Sequence, residues 1–508
     1  MVNKLWEKNK YIILSTLAFG FVAHGMALFN LFCAYDDARY LNGVGFTYKS
    51  GRWMLGIIEK LHLAILGNGT TLSTPLFNGI LSLIFIAVAA CFITDMLKIK
   101  NRYLQIMLAG VMVTVPVITC LFAYMFTAPY YMLAVCAGSF AVWLISRNKR
   151  WYCWLTGGII LGCSTGIYQA YIPFFIGLCL LACINEVYTT ETYSLKSALK
   201  AMLYYGGACI VMLLSYLLLN KLLLAINNTS LSAYGGINSF GSTDFKGYIK
   251  RIILAYKEFL LPASDSQTNI YSLRSICYYY ISAVIGTIFS TIIAIDIYKR
   301  SGKLFAAVIE LLLICLAPLA ANFIYVMCEQ NTIHLLMVYG NIIIFIYLVW
   351  AAENAEAMLP KNLACTISAV ILLLMNLVYL KYDNICYLEA EILQEESKSY
   401  YTELVMRIQS TEGYNTDMPI IYVNEKLKLT DSSLVRKTFK AVDIWQYAYY
   451  YSANEADWKL NMKIWTGFDP VIGDVENLGN TERIAELTAY PDEGSIAVID
   501  GNVVVKFY

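Results

Sequence analysis

Apolar residues in this chain come in long blocks rather than short periods. Eleven windows of about 20 mainly apolar residues recur, at 11–34, 76–97, 103–125, 130–146, 151–168, 171–188, 201–224, 275–297, 304–326, 332–351 and 363–381. A bilayer core about 30 Å thick needs about 20 such residues in helix. The pattern therefore predicts a polytopic α-helical membrane protein with about 11 transmembrane helices, in which the windows at 151–168 and 171–188 are parted only by the short GIYQAYIP.

Between the blocks lie two long polar loops, 35–75 and 225–274, and each holds a stretch of a different period. In GRWMLGIIEKLHLAIL, Trp53, Ile57, Ile58, Leu61 and Ile65 share one helical face, while Arg52, Glu59 and Lys60 lie elsewhere. In FKGYIKRIILAYKEFLL, Phe245, Ile249, Ile252, Tyr256 and Phe259 repeat at spacings of four and three opposite Lys246, Lys250 and Lys257. Both are too interrupted by charge to span, so they are expected to lie along the membrane interface or to brace the bundle.

After residue 381 the pattern changes again. Glu389 to Gln409 is charged and helix-favouring, MPIIYV is a short strand-like run, and SIAVIDGNVVVKFY reads as two strands joined at Asp500-Gly501. Two domains are expected: a transmembrane domain over 1–381 and a soluble, mixed α/β domain over 382–508.

Composition agrees, with 59% hydrophobic and 14% charged residues over 508 positions and a mean hydropathy of +0.57. That is too apolar for a soluble protein of this length. The near-neutral net charge hides a division: residues 1–381 carry 26 Lys and Arg against 15 Asp and Glu, and 382–508 carry 11 against 21. Lys4, Lys8, Lys10, Lys98, Lys100, Arg102, the RNKR run at 147–150, Lys299, Arg300 and Lys303 all fall at one set of helix ends. The bias of Lys and Arg toward the cytoplasm then predicts a cytoplasmic N-terminus and an extracytoplasmic tail. It also puts both long loops outside. The expected location is the cytoplasmic membrane of a bacterium.

Known soluble-enzyme signatures are missing from the sequence. No CxxC, HExxH, Walker or GxGxxG pattern occurs, most of the 14 cysteines sit inside apolar windows, and the histidines at 24, 62 and 334 are scattered. Nothing points to a nucleic-acid partner. The chemistry-bearing stretch is CAYDDARY, where the first apolar block ends in Asp36, Asp37 and Arg39, with Arg52 following in the same outer loop. A carboxylate can take the proton of a sugar hydroxyl as it attacks. Guanidinium groups bind a departing phosphate bidentately and offset its charge. A lipid carrier diffusing in the membrane is then the natural donor, because nucleotide sugars are absent outside the cell. Each piece also has a plainer reading: an Asp-Asp turn or helix cap, and Arg52 and Trp53 as interface anchors.

The DDARY stretch, the later SGRWM and the GIYQAYIP between apolar helices together resemble the serotype-converting glucosyltransferase II family, membrane glycosyltransferases of GT-C type, over about residues 10–380. The resemblance implies a GT-C architecture and inverting transfer of a hexose, glucose first among them, from a polyprenyl-phosphate donor to a cell-surface polysaccharide. It implies a general base in the first outer loop, here Asp36 or Asp37. Arg39 and Arg52 become the candidates for the donor phosphate, with His334 a further contact, and Trp53, Tyr168, Gln169 and Tyr171 those for sugar or acceptor. A divalent cation, Mg or Mn, at Asp36 and Asp37 is compatible with that reading but not required by it. Two other classes stay open: a flippase or transporter of lipid-linked saccharide, and a non-catalytic membrane scaffold with an outer binding domain. His24 and Glu310, polar groups inside apolar windows, should face protein or water.

Overall fold

The computed structural model describes residues 2–32, 35–40, 43–45, 47–67, 72–190, 194–232, 244–261, 273–328, 333–424, 457–479 and 481–507. Cys33 and Ala34 of the CAYDDARY stretch lie outside them. The chain divides into two compact units, one of residues 1–30 and 42–384, the other of residues 31–41 and 385–508.

The first unit is helical. Its elements are α1 (Val2–Phe29), α3 (Trp53–Leu66), α4 (Pro75–Met96), α5 (Arg102–Thr114), α6 (Pro116–Phe122), α7 (Ala128–Arg147), α8 (Trp151–Ile167), α9 (Ile172–Thr189) and α10 (Leu195–Ile226). They are followed by α11 (Phe245–Leu260), α12 (Leu273–Ser301), α13 (Leu304–Cys315), α14 (Ala317–Ala321), α15 (Ile324–Met327) and α16 (Ile343–Ala355). A short helix, α2 (Tyr35–Arg39), belongs to the second unit, and α17 (Leu363–Ser410) continues without a break from the first unit into the second.

Eleven apolar windows do not become eleven continuous membrane helices. Among the described residues eight helices are long and apolar enough to cross, and a ninth arises if α5 and α6, bent by 42°, are taken as one span. Two windows fall short for local reasons. The window at 151–168 forms the 17-residue α8 and stops at a 3-10 turn, Gln169–Tyr171. The window at 332–351 is mostly unwound at its start, with 3-10 turns at Leu335–Met337 and Tyr339–Ile342 before the 13-residue α16. The chain passes close at Gly340, where a Cβ would stand 2.5 Å from Ala321 O and 2.9 Å from Pro173 Cβ. That packing leaves no room for a side chain.

Basic residues gather at one end of the bundle, as the charge pattern predicts. Asp95 at the end of α4 takes Lys8 and Arg147 as ion-pair partners, the latter at 3.0 Å, and accepts Trp143 Nε1 at 2.7 Å. Arg102 lies 4.9 Å from the Tyr11 ring centroid. Lys149 pairs with Glu186 near the end of α9, and Arg300 pairs with Asp296 at 2.9 Å beside the Tyr188 ring. Glu353 accepts the Lys100 and Asn101 amides at 3.2 and 3.1 Å.

Along α3, Trp53 and Leu55 are buried whereas Leu61 and Ile65 are exposed; on α11 Phe245, Ile249 and Ile253 are exposed and Phe259 is buried. Part of either apolar face is thus exposed among the described residues.

In the second unit α17 lies over a three-stranded sheet of order β1-β3-β2, with β1 (Ile420–Val423) parallel and β2 (Ile496–Ile499) antiparallel to β3 (Asn502–Lys506). Asp500 and Gly501, at φ 48° and 74°, make the two-residue turn that alternating strands around an Asp-Gly pair call for. Tyr401, Leu404 and Ile408 of α17 join Tyr422, Val503, Val505 and Phe507 in one core, with Trp458 and Met462 from α18 (Asp457–Thr466). Val504 faces a second cluster with Ile421 and Ile499 on the opposite side of the sheet.

Candidate functional site

The predicted residues fall into two sets on different units. Asp36, Asp37 and Arg39 belong to the second. Their helix α2 packs against α18. The approach to it is fastened to α17 by Gln394 Nε2, which donates to Leu31 O at 2.6 Å, and by the stacked rings of Phe32 and Tyr387 with centroids 6.1 Å apart. The two carboxylates sit in the first turn of α2, where the helix dipole favours anions, and Arg39 sits in its last. Their surroundings differ: Asp37 is 3% exposed, Asp36 half-buried and Arg39 exposed.

Arg52, Trp53, Tyr168, Gln169, Tyr171 and His334 belong to the first unit. Arg52 is the residue that opens α3, after a 3-10 turn at Tyr48–Ser50 and the left-handed Gly51 at φ 70°. Its guanidinium is held from two directions. Nη1 donates to Tyr131 Oη at 3.0 Å, and Cζ lies 5.0 Å from the Tyr168 ring centroid. Tyr131 and Tyr168 are themselves stacked, centroids 4.4 Å apart at 9°. The result is a cation seated on an aromatic shelf, an attraction worth about 0.5–2 kcal/mol depending on how dry the shelf is.

Behind that shelf the SGRW and YQ motifs meet. Gln169 Nε2 donates to Ser50 O at 2.7 Å and to Tyr216 Oη at 3.0 Å, and Tyr216 Oη donates to Gly51 O at 3.2 Å. A Cβ on Gly51 would stand 2.6 Å from both Gln169 Nε2 and Tyr216 Oη. Both donor hydrogens of the Gln169 amide are therefore engaged in holding this turn. Trp53 lies flat on α8: a Cβ on Gly166 would reach within 2.5 Å of its Cε2. Tyr171 is fully buried, edge-on to Tyr131, Tyr168 and Tyr339 at 6.3, 5.1 and 5.8 Å. The Tyr171 hydroxyl and Trp53 Nε1 are buried donors without a hydrogen-bond partner among the described residues. Such groups are costly unless something completes them.

His334 precedes the turn Leu335–Met337, which packs on α6. It is five residues from Tyr339, whose ring meets Tyr171. Among the described residues no group of three or more His, Cys, Asp or Glu side chains could hold a metal ion.

Tyr131 and Tyr216 are the members that sequence reasoning missed. With 40 tyrosines in the chain, neither carries a composition signal. Tyr216 could have been noticed as the lone polar hydroxyl aromatic in LLSYLLLNK.

A family model described as "Glucosyl transferase GtrII" matches residues 25–345, a span that holds every candidate from Asp36 to His334 and ends before the second unit's sheet. No curated protein and no solved structure matches the chain.

Proposed function

Because this chain belongs to the glucosyl transferase GtrII family and is a glycosyltransferase of the membrane, we propose that it moves glucose from a polyprenyl-phosphate donor to a hydroxyl of a cell-surface polysaccharide, outside the cytoplasmic membrane. The acceptor oxygen attacks the anomeric carbon with inversion as the bond from that carbon to the phosphate oxygen breaks. The proton passes to a carboxylate of the Asp36–Asp37 pair, and the electron pair leaves with polyprenyl phosphate. Arg52 takes the phosphate as its charge builds, with Arg39 and His334 as further cationic or donor groups. Trp53, Tyr168 and Tyr171 stand around Arg52, with Trp53 Nε1 and the Tyr171 hydroxyl as the donors a sugar would complete.

The observation that carries this reading is the mounting of Arg52. A guanidinium held by a hydrogen bond to Tyr131 and by the Tyr168 face is already positioned and needs little reorganisation when an oxyanion arrives. The two short apolar segments are read as crossings too. Lys149 before α8 pairs with Glu186 near the end of α9, while Gln169 lies between the other ends of both helices, and this supports an antiparallel pair. On this reading the basic ends lie in the cytoplasm, and the Asp pair, one crossing from the N-terminus, lies outside.

The test is the purified protein in detergent with polyprenyl-phosphate glucose and acceptor polysaccharide, following donor consumption in Asp36→Asn and Asp37→Asn separately. At least one should lose transfer while remaining folded. Full activity in both would remove the carboxylate from the mechanism.

A further inference from the structure

The turn that delivers Arg52 is gripped from behind by a helix that no part of the reaction requires. Helix α10 is mainly apolar, with Leu203, Leu214, Leu218 and Leu222 exposed on its outer face. Its buried stripe runs Ala198, Ala201, Tyr205, Ala208, Met212, Tyr216, Asn220. The Tyr216 hydroxyl sits at the centre of a closed circuit: it accepts from Gln169 Nε2, which also donates to Ser50 O, and it donates to Gly51 O. The chain leaving α10 returns to the same turn, with Ser232 N donating to Lys49 O at 2.8 Å. Two consecutive carbonyls, those of Ser50 and Gly51, are thereby fixed immediately before Arg52.

We propose that Tyr216 is a positioning residue for the Arg52 guanidinium, acting through Gln169 and the Ser50–Gly51 backbone to hold the side chain at the angle that seats it on Tyr131 and Tyr168. This deepens the reading of Arg52 as the donor-phosphate contact and rests on it. The geometry argues for more than packing. Gly51 has no space for a Cβ because Gln169 Nε2 and Tyr216 Oη both stand 2.6 Å from where it would be. At φ 70° it also occupies a backbone region that residues with side chains enter at a cost. Without the hydroxyl, the Gly51 carbonyl and one Gln169 hydrogen lose their partner and the turn regains freedom at its most permissive residue. Arg52 then enters the site over a range of angles. The contribution is to binding and orientation, so the donor should register it and the acceptor should not.

Tyr216→Phe keeps the ring and its packing and removes only the hydroxyl. In the purified protein we expect KM for polyprenyl-phosphate glucose to rise about 10-fold, well within what misplacement of a binding group produces. KM for the acceptor should stay unchanged, while the melting temperature in detergent should fall modestly, as expected for a buried carbonyl and amide hydrogen that lose their partner. The discriminating measurement is a double-mutant cycle with Arg52→Ala. If Tyr216 acts through Arg52, Tyr216→Phe adds nothing to donor KM in the Arg52→Ala background. Gln169→Met, which breaks the circuit at its other member, should repeat the pattern whatever the folding yield of Tyr216→Phe. A donor KM unmoved by both variants, or an effect fully retained without Arg52, overturns the proposal. An Arg52→Ala protein with normal donor KM overturns the phosphate role of Arg52 itself, a separate failure visible in the single variant.

Discussion

At the scale of single residues, what decides activity is how few side chains are free to move. Arg52 is fixed at both ends, by the Gly51 turn behind it and by Tyr131 and Tyr168 in front. Arg52→Ala should lower kcat/KM about 10²–10³-fold, the scale seen when one preorganised electrostatic donor is removed; steady-state rates on the purified variant check it. Gly51→Ala should be more damaging to folding than its size suggests. It combines the strain of a positive φ, about 1–2 kcal/mol, with contacts of 2.6 Å to Gln169 Nε2 and Tyr216 Oη, and a melting curve in detergent should show a clear drop. Of the two acids, Asp37 is buried and Asp36 half-buried. If Asp37 is the base, Asp37→Asn costs about 10²–10⁴-fold in turnover and Asp36→Asn much less. The motifs themselves were legible: Gly-Arg-Trp and Tyr-Gln stand out against apolar surroundings. Their partnership was not, since residues 51 and 169 are joined only by the fold, and Tyr216 is one tyrosine among many.

At the scale of elements, the broken helix α5–α6 is the instructive case. Pro116 has no N–H, so the carbonyl of Met112 loses its helical partner; Tyr339 Oη takes its place at 3.0 Å. The Val113 carbonyl accepts from His24 Nε2 at 2.8 Å, and Thr114 Oγ1 donates to Asn376 Oδ1 at 3.0 Å. Broken helices at the midplane are a mark of transporters when their freed carbonyls line a cavity for ions. Here those carbonyls are used by protein groups, which favours a structural break over an ion site. His24 thus has the satisfied, interhelical role that is the plain expectation for a polar group in such a window. His24→Phe should cost about 1–3 kcal/mol by orphaning a buried acceptor, read as a lower melting temperature with donor KM unchanged. The hydropathy pattern could locate all eleven apolar segments because burial and lipid both select apolar residues. It could not tell which would unwind, since the 3-10 turns near Gln169 and Tyr339 arise from packing between helices distant in sequence.

At the scale of the whole molecule, the final hairpin was legible in its alternation around Asp500-Gly501. Two features were not. The last apolar window and the charged helix after it are one 48-residue element, α17, because nothing in the sequence between 381 and 389 breaks helix. And the Asp36–Asp37 stretch, which in sequence belongs to the first outer loop, packs with the tail: α2 lies against α18, and its approach is tied to Gln394 and Tyr387 of α17. The tail is then the ground on which the proposed base is built, and its negative charge argues against a role in gripping a polyanionic polymer. Removing residues 385–508 should therefore abolish donor turnover to the extent that Asp37→Asn does, even with a minimal alcohol in place of the polysaccharide. A truncated protein that still consumes donor at the full rate would show that α2 needs no support from the tail.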